Sequence, residues 1–179
     1  MKVIRNLVLS VIMLSVCSSV YAASATELDA KANASIKVFN AKVGAAKELT
    51  SKSAAMLIFP SVYKAGFVVG GEYGEGVLLI HGKTVDYYST VSGSIGFQLG
   101  AQKKTIVLLF MTQKSLSDFR KSDGWEVGID GSVALIEFGA GKDFDTTNIK
   151  DPIIGFVFAN KGLMYNLSLE GSKITKIKK

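Results

Sequence analysis

One cysteine and one histidine, Cys17 and His81, are all that this sequence offers of the residues most used for nucleophilic and metal chemistry. No disulfide can form within the chain, so buried apolar side chains must hold the fold together. With Cys17 assigned below to an N-terminal leader, the domain proper has no cysteine nucleophile and no thiolate metal ligand. A single histidine excludes a two-histidine metal site within one chain. A serine–histidine–acid triad would have to use His81, and no G-x-S-x-G elbow exists; Ser92-Gly93-Ser94 reads as a turn or bulge. His81 itself is followed by Gly82 between two β-like runs, where histidine is one of the few side chains that tolerate a positive φ.

Long apolar runs are equally scarce. After the first residues no stretch approaches about 18 consecutive apolar side chains, the length of a membrane-spanning helix. Charge is modest: 21 basic and 15 acidic side chains give a formal net charge of +6, two units of it from Lys2 and Arg5. That favours anionic surfaces weakly and does not nominate nucleic acid. The lysines are unevenly spread, with Lys173, Lys176, Lys178 and Lys179 crowding the end and Lys103-Lys104 forming a second small cluster.

The beginning reads as a leader. Lys2 and Arg5 precede an uncharged apolar run at residues 7–16, and Ser18-Ser19-Val20-Tyr21-Ala22 offers small residues for signal peptidase. The expectation is a signal peptide at residues 1–22, a single domain at residues 23–179, and export to the periplasm or outer envelope. Leu14-Ser15-Val16-Cys17 also resembles a lipobox, which would make Cys17 a lipidated N-terminus.

What the domain has in abundance is glycine, and all but Gly44 of the 18 glycines lie at residues 66–171. The run G-F-V-V-G-G-E-Y-G-E-G carries Gly66, Gly70, Gly71, Gly74 and Gly76 among β-branched and aromatic residues. Glycine costs roughly 0.5–1 kcal/mol against alanine inside regular structure, so the run implies bulges, tight bends or close backbone contacts. These five are structural glycines on this reading, with Gly71→Val expected to cost about 2 kcal/mol or more. Glu72 and Glu75 fall on opposite faces of a strand, so they do not form an acid–base pair unless a bulge intervenes. If they face water, Glu72→Gln and Glu75→Gln are neutral. G-G-E-Y-G-E-G lacks the Lys-Ser/Thr ending of a phosphate loop.

Residues 26–49 have helical period. Leu28, Ala32, Ile36, Phe39, Val43 and Ala46 form one stripe, with Thr26 as N-cap and Asp29 in the first turn. A second short helical turn is expected at residues 51–55. Thereafter strands dominate: residues 56–59, ending at Pro60, then 84–90, 94–99, 105–111, 153–158 and 163–169. The run at 105–111 is apolar on both faces and therefore central in a sheet. His81-Gly82, Asn160-Lys161-Gly162 and Gly171-Ser172 supply hairpin turns. Thr112, Leu116, Phe119 and Asp123-Gly124 mark one further helix. The fold class is α+β: an N-terminal amphipathic helix packed on a mostly antiparallel, glycine-rich sheet of about seven to nine strands, curling toward a barrel. A weak internal echo links residues 93–101 with residues 131–140. Asp143 and Asp145 begin like a calcium loop, but Asn148 and Ile154 occupy its glycine and glutamate places, so no metal site is expected.

The motifs F-P-S-V-Y-K-A-G-F at residues 59–67, G-G-E-Y-G-E-G-V-L at 70–78, G-S-I-G-F-Q-L-G-A-Q at 93–102, D-G-S-V-A at 130–134 and G-L-M-Y-N-L-S-L-E-G at 162–171 resemble the SYLF domain family. The resemblance implies a non-enzymatic lipid-binding domain without a cofactor. Its eukaryotic members recognise phosphoinositides, and its founding yeast members also bind actin. Secreted bacterial members are similar in sequence. This chain has a leader and no SH3 or FYVE module, so the resemblance implies an envelope lipid, such as anionic phospholipid, rather than actin. Lys103, Lys104, Lys173, Lys176 and Lys178 are the expected lipid contacts. The alternative is a protein-interaction module at the sheet edge or glycine-rich face, and a hydrolase built on Glu72 or Glu75 ranks below both.

Overall fold

A computed structural model describes residues 23–66, 69–95, 100–137, 151–161, 169 and 171–179. The expected leader at residues 1–22, the acidic stretch with Asp143 and Asp145, most of the expected strand at 163–169 and parts of the two halves of the internal echo (96–99 and 138–140) lie outside these residues.

Helix α1 (Ala25–Lys42) and helix α2 (Ala46–Lys52) precede the sheet. The N-cap of α1 is Ser24 rather than Thr26: its hydroxyl accepts from the Glu27 amide at 3.2 Å. The single helix expected over residues 26–49 breaks at Val43, whose extended backbone starts a short turn through Gly44 and Ala45. The second helix therefore starts earlier than residue 51, and Ala55 already belongs to a strand.

Strands β1 (Ala55–Gly66), β2 (Val69–Ile80), β3 (Lys83–Ile95), β4 (Gly100–Phe110), β5 (Trp125–Glu126), β6 (Ala134–Glu137), β7 (Ile153–Lys161) and β8 (Lys173–Ile177) form one sheet, with helix α3 (Gln113–Lys121) between β4 and β5. The order is β5-β8-β3-β2-β1-β4-β7-β6. All pairs are antiparallel except β6–β7, and the sheet curls into a half-barrel. As its two-sided apolar pattern required, β4 lies inside the sheet, between β1 and β7.

Alternation along the strands builds two cores. On the first face Met56, Ile58, Val77, Leu79, Val107, Leu109, Ile154 and Phe156 meet Leu28, Ala32, Phe39, Val43, Ala46 and Leu49 of the N-terminal helices. Phe39 and Phe156 pack edge to face at 4.9 Å; burying a phenylalanine of this kind contributes about 1.5–3 kcal/mol. On the second face Leu57, Phe59, Val62, Leu78, Ile106 and Leu108 meet Leu116 and Phe119 of α3. Phe119 sits among Tyr88, Phe110 and Trp125 at centroid distances of 4.9, 4.8 and 5.6 Å. Thr112 caps α3 by accepting from the Ser115 amide. At the β2–β3 hairpin His81 has φ 50° and Gly82 φ 75°, the left-handed pair that a two-residue turn needs.

Pro60 does not end β1. Between Ile58 and Ser61 the pairing with β2 slips by one residue, and the pairing with β4 slips between Phe59 and Val62. This bulge accommodates the proline, whose carbonyl accepts from the Thr105 hydroxyl at 3.0 Å. Residues 70–76 run as regular strand, so the expected bulge lies in the partner strand instead. A Cβ on Gly76 would stand 2.5 Å from the Phe59 ring, and one on Gly74 would stand 2.7 Å from the Val62 side chain. Gly71 differs: its nearest neighbour would be the Ser92 carbonyl oxygen at 3.7 Å, ordinary contact. The expected strain at Gly71 is corrected accordingly. Gly66 and Gly70 face each other across β1 and β2. Ser94 and Ile95 end β3 rather than starting a new strand.

Candidate functional site

The bulge at Pro60 reverses the facing of every later residue in β1. Up to Phe59 the even-numbered side chains point to the helix-covered face and Leu57 and Phe59 to the opposite core; beyond the bulge the even-numbered Val62 joins that opposite core and Tyr63 turns to the helix side. There Tyr63 stands opposite Tyr73 on β2, and Tyr73 stands opposite Val91 on β3. The row continues in both directions, Val91 pairing with Lys173 on β8 and Tyr63 with Lys103 on β4. Four inter-strand steps separate Lys173 from Lys103, roughly 19 Å at about 4.8 Å per step.

This row lies on the same face as the N-terminal helices, yet it is open. Tyr63 is 57% exposed, Tyr73 44% and Val91 51%. The next row outward on this face holds Gly93, Gly71 and Ala65, so small residues leave the aromatic side chains standing above the sheet. The Lys103 ammonium lies 5.8 Å from the centre of the Tyr63 ring, within cation–π range. The Tyr73 hydroxyl donates to Glu75 at 3.0 Å, and Glu75 accepts from Lys179 at 2.8 Å; Lys179 also donates to the Ala23 carbonyl just before α1. Partial burial, followed by the bond to Glu75, raises the Tyr73 phenol above its ordinary value and keeps it neutral. The result is a neutral aromatic strip with a lysine at each end.

The five lysines singled out in the sequence thus separate by position. Lys103 and Lys173 bracket the row. Lys104 points to the other face, where its side chain is 5% exposed and its ammonium meets Glu72 at 2.5 Å; Lys64 approaches the same carboxylate at 3.4 Å. A headgroup at the surface does not reach it. Lys176 pairs with Asp86, which Arg120 of α3 also holds at 2.9 Å. Lys178 is exposed beyond the end of β8. Glu72 and Glu75 lie on opposite faces, each held by lysine, so neither joins the other in acid–base chemistry. Among the described residues no group of three or more histidine, cysteine, aspartate or glutamate side chains is placed to hold a metal ion.

Sequence reasoning missed Tyr63, Tyr73 and Val91. The signal was present in Tyr73, two residues from Glu75 and four from the buried Val77 in one alternating set. Tyr63 was hidden because a strand ending at Pro60 has no place for it.

The C-terminal half of the chain, residues 91–179, matches the family model described as Ysc84, Las17-binding protein actin regulator. No curated protein matches the chain. The matched segment contains β4 to β8 and α3, hence Lys103 and Lys173 with the strands that carry them. Ysc84 and SYLF denote the same domain, and the family includes lipid-binding and actin-regulator-related members. This chain belongs to the SYLF (Ysc84) family.

Proposed function

We propose that the protein is a non-enzymatic domain that docks on anionic lipid through the row Lys173–Val91–Tyr73–Tyr63–Lys103. The observation that carries this reading is the exposure of two tyrosines and a valine in register, with a lysine at each end. Tyrosine suits a membrane interface because its ring is apolar and its hydroxyl is wet. Lysine near a negatively charged lipid surface contributes on the order of 1 kcal/mol. Together they support shallow, reversible docking, with the ring edges at headgroup depth and the ammonium groups on lipid phosphates.

An apolar strip with adjoining lysines favours lipid over a protein partner, for which an apolar patch without lysines would be the expected surface. Family membership supports lipid as the ligand class. On our reading residues 1–22 are a leader that would direct the domain to the periplasm or outer envelope, with Cys17 as the alternative anchor.

Co-sedimentation of the 23–179 domain with vesicles tests the reading. Pelleting should rise with the fraction of anionic lipid and fall with salt, as screened attraction requires. Equal pelleting with neutral and anionic vesicles, or none with either, would sink the lipid reading and leave the protein-interaction module as the better account.

A further inference from the structure

Glu75 is the carboxylate that touches the aromatic row. It lies two residues from Tyr73 on the same face of β2, about 7 Å along the strand. That is less than the Debye length of roughly 10 Å at 0.1 M salt, so a free carboxylate there would repel lipid phosphates at the row. Glu75 is not free. Its Oε2 meets the Lys179 ammonium at 2.8 Å, with the Lys179 and Glu75 side chains only 7% and 10% exposed. Its Oε1 accepts from the Tyr73 hydroxyl at 3.0 Å.

Lys179 reaches this place from beyond β8. Its second bond, 2.8 Å to the Ala23 carbonyl, fastens the chain just before the Ser24 cap of α1. The neighbouring charges on α1 are already matched, since Glu27 and Lys31 pair at 2.6 Å. Both still feel the site: the Lys179 charge lowers the Glu27 carboxyl, after the larger effects of Lys31, and Glu75 is among the charges that raise Lys31, after its bond to Glu27. Asp29 is occupied further down β3, accepting from the Thr84 and Tyr87 hydroxyls. The charge balance beside Tyr73 therefore turns on Glu75 and Lys179.

We propose that the Glu75–Lys179 pair sets how strongly the row docks and how well it distinguishes anionic from zwitterionic lipid, with Lys179 a positioning residue that acts through Glu75. While paired, the two charges cancel, the Tyr73 hydroxyl stays turned toward Glu75, and Lys103 and Lys173 supply the attraction. With Lys179 alone removed, a bare carboxylate faces the lipid phosphates next to Tyr73. With Glu75 alone neutralised, the Lys179 ammonium adds a third positive charge beside the row. A purely structural clip forecasts something else: loss of either partner would loosen the start of α1 and weaken docking. The inference rests on the docking reading above and adds the determinant of its charge selectivity.

Vesicles of phosphatidylcholine alone, and of phosphatidylcholine mixed with phosphatidylglycerol, are the probes, titrated against the 23–179 domain and its variants. On mixed vesicles Glu75→Gln should bind about fivefold more tightly than the parent, with a steeper salt dependence. Lys179→Met should bind about fivefold more weakly, and Glu75→Gln/Lys179→Met should return close to the parent. On phosphatidylcholine alone the four proteins should bind alike. Opposite signs in the two single variants, with recovery in the double variant, follow from a charge pair and not from a broken clip. Weakening in both single variants, or parent-like binding in both, would overturn the inference and leave the row in place. A parent that ignores anionic lipid would overturn the row and the inference with it. Should Lys179→Met fail to fold, Glu75→Gln decides alone: tighter binding supports the pair, and weaker or unchanged binding overturns it.

Discussion

Lys104 on β4 and Glu72 on β2 form an ion pair of 2.5 Å that reaches over the intervening strand β1, with side chains only 5% and 11% exposed. Val62, the Lys104 partner on β1, also pairs with Gly74, whose missing side chain leaves the diagonal to Glu72 clear. Removing one member of such a pair strands the other charge in a poorly solvated place, which typically costs about 3–5 kcal/mol. Glu72→Gln should therefore lower stability by about 3 kcal/mol in denaturant unfolding, because Lys104 and Lys64 both lose their shared anion. The neutrality expected for a water-facing Glu72 does not apply to a carboxylate held by two lysines. The double variant Glu72→Leu/Lys104→Met should recover most of the loss.

The glycines of β2 should divide sharply. Gly76→Ala places a methyl group against the Phe59 ring and the Ile58 carbonyl, and overpacking of this kind costs about 1–3 kcal/mol. Gly71→Ala meets only ordinary contact and should be neutral or stabilising by about 0.5 kcal/mol, since strand glycine is conformationally unfavourable. Unfolding midpoints of the two variants beside the parent check the order; equal loss at both positions would contradict the packing described.

Vesicle binding should respond to the row as a unit. Lys103→Glu and Lys173→Glu should each weaken binding to anionic vesicles by at least about fivefold, the equivalent of roughly 1 kcal/mol per lysine. Tyr63→Ala and Tyr73→Ala should weaken it with little change in salt dependence, because they remove apolar contact rather than charge. Lys178→Glu should have a smaller effect than Lys103→Glu, since Lys178 lies outside the row. Titration of each variant against vesicles of fixed composition separates these cases.

Alkaline pH should unfold the protein from one identifiable group of residues. Tyr88 is buried, and desolvation, followed by the Asp86 charge, raises its phenol above the ordinary value of 10.0. Tyr73 and Tyr87 are raised in the same direction, again by desolvation first and then by Glu75 and Asp29. The folded state thus holds these protons more tightly than the unfolded chain. Their contribution is fully present below pH 10 and falls as pH rises through the higher folded values. Tyrosinate absorbance and circular dichroism, followed together, should show Tyr88 ionising with unfolding; in Tyr88→Phe the fall should be shallower.

Much of the architecture was legible in the residues themselves. The stripe from Leu28 to Ala46, the alternation of the strands, the two-sided run of β4, the Thr112 cap and the left-handed turn at His81-Gly82 are local properties. Each depends on side-chain periodicity or on the φ that one residue tolerates, and neighbours in the chain suffice to express them. The same holds for the glycine content, which announced close packing without saying where.

What tertiary structure decided is which residues share a face. Pro60 was legible as a strand breaker, but with β2 and β4 on either side the chain continued through it by adding one residue to the bulge. That single residue turned Tyr63 toward Tyr73 and placed Lys103 and Lys173 at the ends of one row, while Lys104, adjacent in sequence, went to a buried pair with Glu72. A lysine cluster in sequence carries no information about this, because consecutive strand residues point to opposite faces and their neighbours come from other strands.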